Sequence, residues 1–295
     1  MSDWGKGVIN NIGWGQGADN NIGWGSIYAK SNAGLTLLLQ DESFFLNTFS
    51  EASLGLSLDK LDKNYTGSAI KVRRSSDNNE LDIGFVNNEL DTASLLDFVG
   101  SGNGFVSIIY DQVGSNNMTQ TTANLQGQIV SNGSVILKGG KPCIIRSAND
   151  DGGYLSTYAP NNGATVKGMF YVGDNEGRTS CMFSSTNEGA DYGFIAVSGE
   201  NSTLLDNNPT ISLTKLNGST TTIATRGEAF TSTNNQFLLY REIEFNFYDN
   251  VLGLGYKRDR PQGFGMFTFQ ELVIFENTND AVAKENNINS KYNIY

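Results

Sequence analysis

"QFLLYREIEFNFYDN", Gln236–Asn250, runs straight into "VLGLGYKR", Val251–Arg258, and then, past a glycine-containing break, into "GMFTFQELVIF", Gly265–Phe275. Short apolar runs rich in Phe, Tyr, Ile and Val, punctuated by Gly, Asn and Asp, read as strands joined by turns. The same pattern extends upstream through "GFVSIIYDQ" (Gly104–Gln112), "GSVILKG" (Gly133–Gly139) and "PCIIRSA" (Pro142–Ala148). It continues in "ATVKGMFYVG" (Ala164–Gly173), "YGFIAVSG" (Tyr192–Gly199), "TISLTKL" (Thr210–Leu216) and "TTTIATRGEAF" (Thr220–Phe230). About ten strands at roughly 8–14-residue spacing are the signature of a two-sheet antiparallel sandwich, an all-β fold.

Helical signals are few. "LDTASLLDFVG" (Leu90–Gly100) predicts a short helix with Asp91 as N-cap, Leu95, Leu96 and Phe98 as its apolar face, and Gly100 as its stop. "DAVAKENNINSKY" (Asp280–Tyr292) predicts a terminal helix capped by Asp280. Leu54, Leu58 and Leu61 in "ASLGLSLDKLDKNY" fall at helical spacing, whereas "SAIKVRRSS" (Ser68–Ser76) reads as a strand. "LTLLLQDESFFLNTF" (Leu35–Phe49) is strand or buried helix. No linker rich in Pro or Ser splits residues 35–295. One sandwich domain is therefore expected over 29–295, after a distinct segment at 1–28.

Composition narrows the function. The chain of 295 residues has a net charge of -11, which argues against nucleic acid or an anionic membrane as partner. Lys71-Val72-Arg73-Arg74 is the one dense basic stretch and reads as the wet face of a strand. Histidine is absent, which removes Ser-His-Asp and Cys-His catalysis and imidazole-ligated zinc. Two cysteines, Cys143 and Cys181, cannot define a zinc site and are expected as free thiols. No metal or cofactor is expected. The start at Met1 shows no signal peptide, and no apolar run approaches a membrane span, so synthesis in a cytosol is expected. With 34 glycines and 35 asparagines, the surface is turn-rich and low in charge.

The segment 1–28 is a repeat. Trp4, Trp14 and Trp24, the chain's three tryptophans, fall ten residues apart, each followed by Gly. Asn10-Asn11-Ile12-Gly13 recurs as Asn20-Asn21-Ile22-Gly23. So few apolar groups on so glycine-rich a peptide cannot offset its ordering entropy. Trp4, Ile12, Trp14, Ile22 and Trp24 are therefore expected to bury in something else. The alternative is packing on their own chain's next domain.

"YTGSAIKVRRSSDNNELDIGFVNNELDTASLLDFVGSGNGFVSIIYDQ", Tyr65–Gln112, with "VGSNNMTQTT" to Thr122, resembles the opening of the arabinofuranosidase B catalytic domain. That opening recurs in phage virion proteins, whose N-termini also carry W-G-x-G repeats like this one. Phe269-Gln270-Glu271-Leu272-Val273-Ile274, followed by Asn286, Ile288, Asn289 and Tyr292, resembles the end of that domain. The resemblance implies a concanavalin-like jelly roll. It also implies a catalytic nucleophile and a general acid/base, a pair of adjacent cysteines and a tryptophan in the sugar pocket. Here Cys181 stands alone and no Trp follows Trp24. The candidate carboxylates are Glu200 in "VSGENS" and Asp259 in "YKRDRPQG", where flanking arginines push a carboxyl pKa the wrong way for a general acid. Asp111 in "YDQ" and the acids of "DNNELD" (Asp77–Asp82) are read as structural turns and solvated loop rather than calcium ligands.

These readings converge on a non-enzymatic virion structural protein, a head fibre, decoration or tail-associated protein. Its repeat would dock on a capsid, portal or tail component, and its sandwich would face outward toward host-surface glycan. A homo-oligomer is expected, a trimer being the preferred copy number. The alternative is a virion-borne glycoside hydrolase of arabinofuranosidase type acting on host polysaccharide.

Overall fold

The computed structural model describes residues 26–31, 34–39, 44–147, 153–156, 165–186, 192–202, 210–246, 251–255 and 266–295. The chain divides into two compact units, Met1–Ser43 and Phe44–Tyr295; the sequence pattern alone drew its line after residue 28. In the first unit, β1 (Ser26–Ser31) and β2 (Gly34–Leu39) form an antiparallel pair with Ile27 opposite Leu38 and Lys30 opposite Leu35. Trp4, Ile12, Trp14, Ile22 and Trp24 lie outside the described residues.

The second unit opens with α1 (Phe45–Thr48) and β3 (Ala52–Ser57). Then come β4 (Ile70–Arg74), β5 (Glu80–Ile83), α2 (Thr92–Val99), β6 (Gly104–Ile109), β7 (Met118–Thr119), β8 (Gly127–Ser131) and β9 (Ile144–Arg146). The central strands are β10 (Tyr154–Ser156), β11 (Thr165–Gly173), β12 (Ser180–Thr186), β13 (Tyr192–Ala196) and β14 (Thr210–Leu216). The chain ends with α3 (Arg226–Ser232), β15 (Phe237–Asn246), β16 (Val251–Leu254), β17 (Phe267–Phe275) and α4 (Ala281–Tyr292).

Two antiparallel sheets result. One runs β3-β17-β11-β15-β14. The other runs β5-β4-β6-β7-β10-β16-β12-β13. β9 pairs with both β17 and β8, and β8 with β6, so the two sheets join at that corner. The fold is the all-β sandwich expected.

The first sheet is apolar on both faces. Leu54, Met169, Leu239 and Leu272 point between the sheets, where Val72 and Val106 of the second sheet meet them. Phe170, Leu238, Tyr240 and Phe275 point outward and are covered by Phe45 of α1, Phe49 just after it, and Ile288 and Tyr292 of α4. Phe170 stacks on Tyr240 at 4.5 Å between ring centroids. Each such side chain contributes about 1.5–3 kcal/mol on burial. This double coverage explains why all nine residues of β17 are buried, its Phe, Leu, Val and Ile side chains filling both faces.

Local signals were mostly obeyed. Asp91 caps α2, its side chain accepting from the Ser94 N–H at 3.0 Å, and Gly100 ends the helix at φ +67°. Leu35–Phe49 resolves into strand β2 and helix α1, both of its alternatives in turn. Two expectations are corrected. Leu54 belongs to strand β3, because pairing with β17 places Leu56 opposite Leu272 and Gly55 opposite Val273. The end of Thr220–Phe230 is helix α3, not strand, because Thr225 and Glu228 form a reciprocal capping box. Asp280 does precede α4, but in the left-handed conformation and without a side-chain cap.

Candidate functional site

Glu200 and α3 meet at one corner of the sandwich. Glu200 follows β13, and its Oε1 accepts from Arg226 Nη1 at 3.0 Å. Arg226 is the first residue of α3 and fully buried, so the capping box that starts the helix also sets the guanidinium in place. The backbone fastens the same corner: Gly227 N–H donates to the Glu200 carbonyl at 2.8 Å and Val197 N–H to that of Arg226 at 3.0 Å. On β13 itself, Phe194 carries the guanidinium of Arg241 over its ring, 5.2 Å from the centroid.

This geometry makes Glu200 half of an ion pair. A retaining glycosidase needs two carboxylates about 5 Å apart. Glu200 instead faces the buried Arg226 guanidinium, which occupies its Oε1. Asp259, the other candidate, lies outside the described residues.

Asp111 is fully engaged. Its Oδ1 accepts from Gly55 N and Val113 N, both at 3.0 Å, and its Oδ2 from Gly114 N at 3.1 Å and Asn116 N at 3.2 Å. It is a buried turn organiser. Asp77 holds Arg74 at 2.7 Å and Asn79, and the Arg74 guanidinium keeps its carboxyl at about 2. Lys71, Arg73 and Arg74 lie half-buried on β4, Arg73 donating to Gln126 at 2.7 Å and covering Phe105.

A second polar cluster escaped the sequence reading. Glu271, fully buried on the outer face of β17, accepts on Oε2 from Ser57 Oγ at 2.7 Å, Lys291 Nζ at 2.5 Å and Tyr292 OH at 3.2 Å. Asp59 lies beside it, and burial raises its pKa although Lys291 and Lys141 pull the other way. Lys141 reaches Asp59 at 3.5 Å and Glu89 at 2.5 Å. Gln112 closes the base, donating to the Ser57 and Asp59 carbonyls and accepting from Leu61 N. The cluster bolts α4 to β17, with Glu271 Oε1 buried beside it without a hydrogen-bond partner. Glu89, Gln112, Glu271 and Tyr292 lie in the stretches that carry the resemblance, but Ser57, Asp59, Lys141 and Lys291 do not, and spacing along the chain does not show that Ser57 and Glu271 touch.

Cys143 and Cys181 are both buried, and burial pushes the Cys143 thiol up. Among the described residues no group of three His, Cys, Asp or Glu is disposed to hold a metal ion, and no helix is long and apolar enough to cross a membrane.

No family model and no curated protein matches the chain. Solved structures do. A GH54 α-L-arabinofuranosidase soaked with a cyclic sulfate inhibitor matches at TM-score 0.50 and 15% identity. A point mutant of a GH54 α-L-arabinofuranosidase, soaked with 4-nitrophenyl α-L-arabinofuranoside, matches at 0.51 and 15%. An arabinofuranosidase complexed with arabinofuranosyl-α-1,2-xylobiose matches at 0.51 and 17%. In each case the match covers 80% of this chain and 62% of the other. At such identities the likeness carries the sandwich fold alone.

Proposed function

We propose that this chain is a non-catalytic structural protein of a phage virion, with its N-terminal repeat docked on the particle and its sandwich turned outward to meet host-surface glycan. The observation that carries the non-catalytic part is the Glu200–Arg226 pair at 3.0 Å, which occupies the candidate nucleophile. The docking part rests on Trp4, Trp14 and Trp24 at ten-residue spacing on a glycine-rich segment. Burying one such indole contributes about 1.5–3 kcal/mol, and three units multiplied over a homo-oligomer give lasting attachment through effective concentration. Its partners on this reading are a capsid, portal or tail component and further copies of itself.

Two measurements test it. Purified protein should release no sugar from aryl arabinofuranosides. Turnover that disappears in both Glu200→Gln and Asp259→Asn would establish the alternative, a virion-borne hydrolase. Deleting Met1–Tyr28, or changing the three tryptophans to Ala, should leave a folded protein that is missing from purified particles. Normal incorporation of either variant would remove the docking role.

A further inference from the structure

Several buried and half-buried cations of the sandwich pair with carboxylates. Arg226 has Glu200 at 3.0 Å, Lys215 has Glu285 at 2.9 Å, Lys284 has Glu51 at 2.8 Å and Lys291 has Glu271 at 2.5 Å. Arg241 breaks the pattern. It is 1% exposed on the inner face of β15. Its Nε donates to Thr214 Oγ1 on the adjacent β14 at 3.3 Å, and its guanidinium lies over the Phe194 ring at 5.2 Å. Its Nη1 is buried without a hydrogen-bond partner. Among the described residues no carboxylate pairs with it, and burial alone draws its pKa down to about 10.

A guanidinium with that pKa is still charged at neutral pH, and it carries five donors and no acceptor. Such a group is costly in apolar surroundings unless a counter-ion completes it. Its position suits a ligand from outside. Among the described pairings β13 ends its sheet, and beyond β14 there is only a two-residue strand at Ser219–Thr220. Phe194 and Thr214 therefore hold Arg241 near the edge of the sandwich, beside the corner where α3 packs on β13.

We infer that Arg241 and Thr214 form the fixed half of an anion site whose ligand is a monovalent carboxylate entering at the β13–β14 edge. The donors left over on the guanidinium bind the carboxylate oxygens, and the Thr214 hydroxyl, which accepts from Nε, still has its own proton to donate. One uncompensated positive charge between apolar walls matches a monoanion; a phosphate or sulfate dianion would leave excess negative charge buried. Two sources supply this chemistry, the acidic sugar of a glycan or a small free carboxylate. The sugar source rests on the glycan-binding reading above; the anion site does not.

The test is a titration of the full chain, followed by melting temperature at neutral pH and constant ionic strength, with glucuronate, acetate, glucose and sulfate as probes. Glucuronate should raise the melting temperature while glucose does not. A rise with acetate as well assigns the site to small carboxylates and withdraws the sugar, while the anion site stands. Arg241→Met keeps the stem without the charge and should weaken the carboxylate response by about a hundredfold, the scale of removing one partner of a buried charge pair. Should that variant fail to fold, Thr214→Val, which keeps the shape and removes the hydroxyl, should weaken the response in the same direction. No response to either carboxylate in the unmodified protein overturns the inference. So does a response unchanged in the variants, or one in which sulfate matches the carboxylates. Glycan binding retained by Arg241→Met would leave the proposed function intact while removing the acidic sugar as the ligand of this site.

Discussion

At the scale of single residues, the buried carboxylates separate by what faces them. Asp111 satisfies four backbone N–H groups that would otherwise be stranded in a tight turn and against β3. Asp111→Ala should cost about 3–5 kcal/mol, read as a lowered urea midpoint at unchanged slope, because buried donors lose a charged acceptor. A loss below about 1 kcal/mol would mean that water replaces the carboxylate. Asp59 behaves in the opposite way. Its pKa is raised above 3.8 by burial, so the folded state favours its protonated form. Its contribution to stability is complete below that ordinary value and is lost as pH rises through the raised one. Asp59→Asn should therefore melt higher than the unmodified protein at neutral pH, with the difference narrowing as pH falls through the carboxylate range. Lys141 also pairs with Glu89 at 2.5 Å, a contact the substitution does not touch. A difference independent of pH would show that charge is not the cause.

At the scale of elements, local chemistry starts α2 and α3, but distant contacts decide what surrounds them. The Thr-x-x-Glu signal of Thr225 and Glu228 was present in the sequence and was masked by the Thr-rich, strand-like run before it. In β3, a leucine spacing suited to a helix gave way to pairing with β17, a partner more than two hundred residues away, as the Ser57–Glu271 separation of 214 shows. α4 depends on the same strand. Lys291→Met leaves the fully buried Glu271 without its cation, which should cost about 3–5 kcal/mol in a denaturant titration. Adding Glu271→Gln should recover much of that loss. If the double variant is as unstable as the sum of the singles, the pair is not coupled.

At the scale of the whole molecule, the chain is two units and the larger one has three layers: α1 with α4, the first sheet, and the second sheet. The larger unit has its own core on both faces of the first sheet. Residues 44–295 expressed alone should thus melt cooperatively within a few degrees of the full chain. Loss of cooperative melting on removing residues 1–43 would show that the N-terminal unit completes the sandwich core. The outer layer was half legible beforehand: the terminal helix was expected, but that it covers the sheet together with Phe45 and Phe49 was not.

The sequence by itself determined the all-β class, the α2 helix with its Asp91 cap, the turn at Asp111 and the exclusion of histidine chemistry. Periodicity, caps and turn residues act over a few positions, and composition acts over the whole chain, so both can be read without coordinates. Only the tertiary structure decided that Glu200 belongs to Arg226, that Glu271 binds Ser57, Lys291 and Tyr292, and that Arg241 is buried with no carboxylate partner among the described residues. The reason is electrostatic. The state of a buried charge is set by the few ångströms around it, and strand register brings those neighbours together from distant parts of the chain.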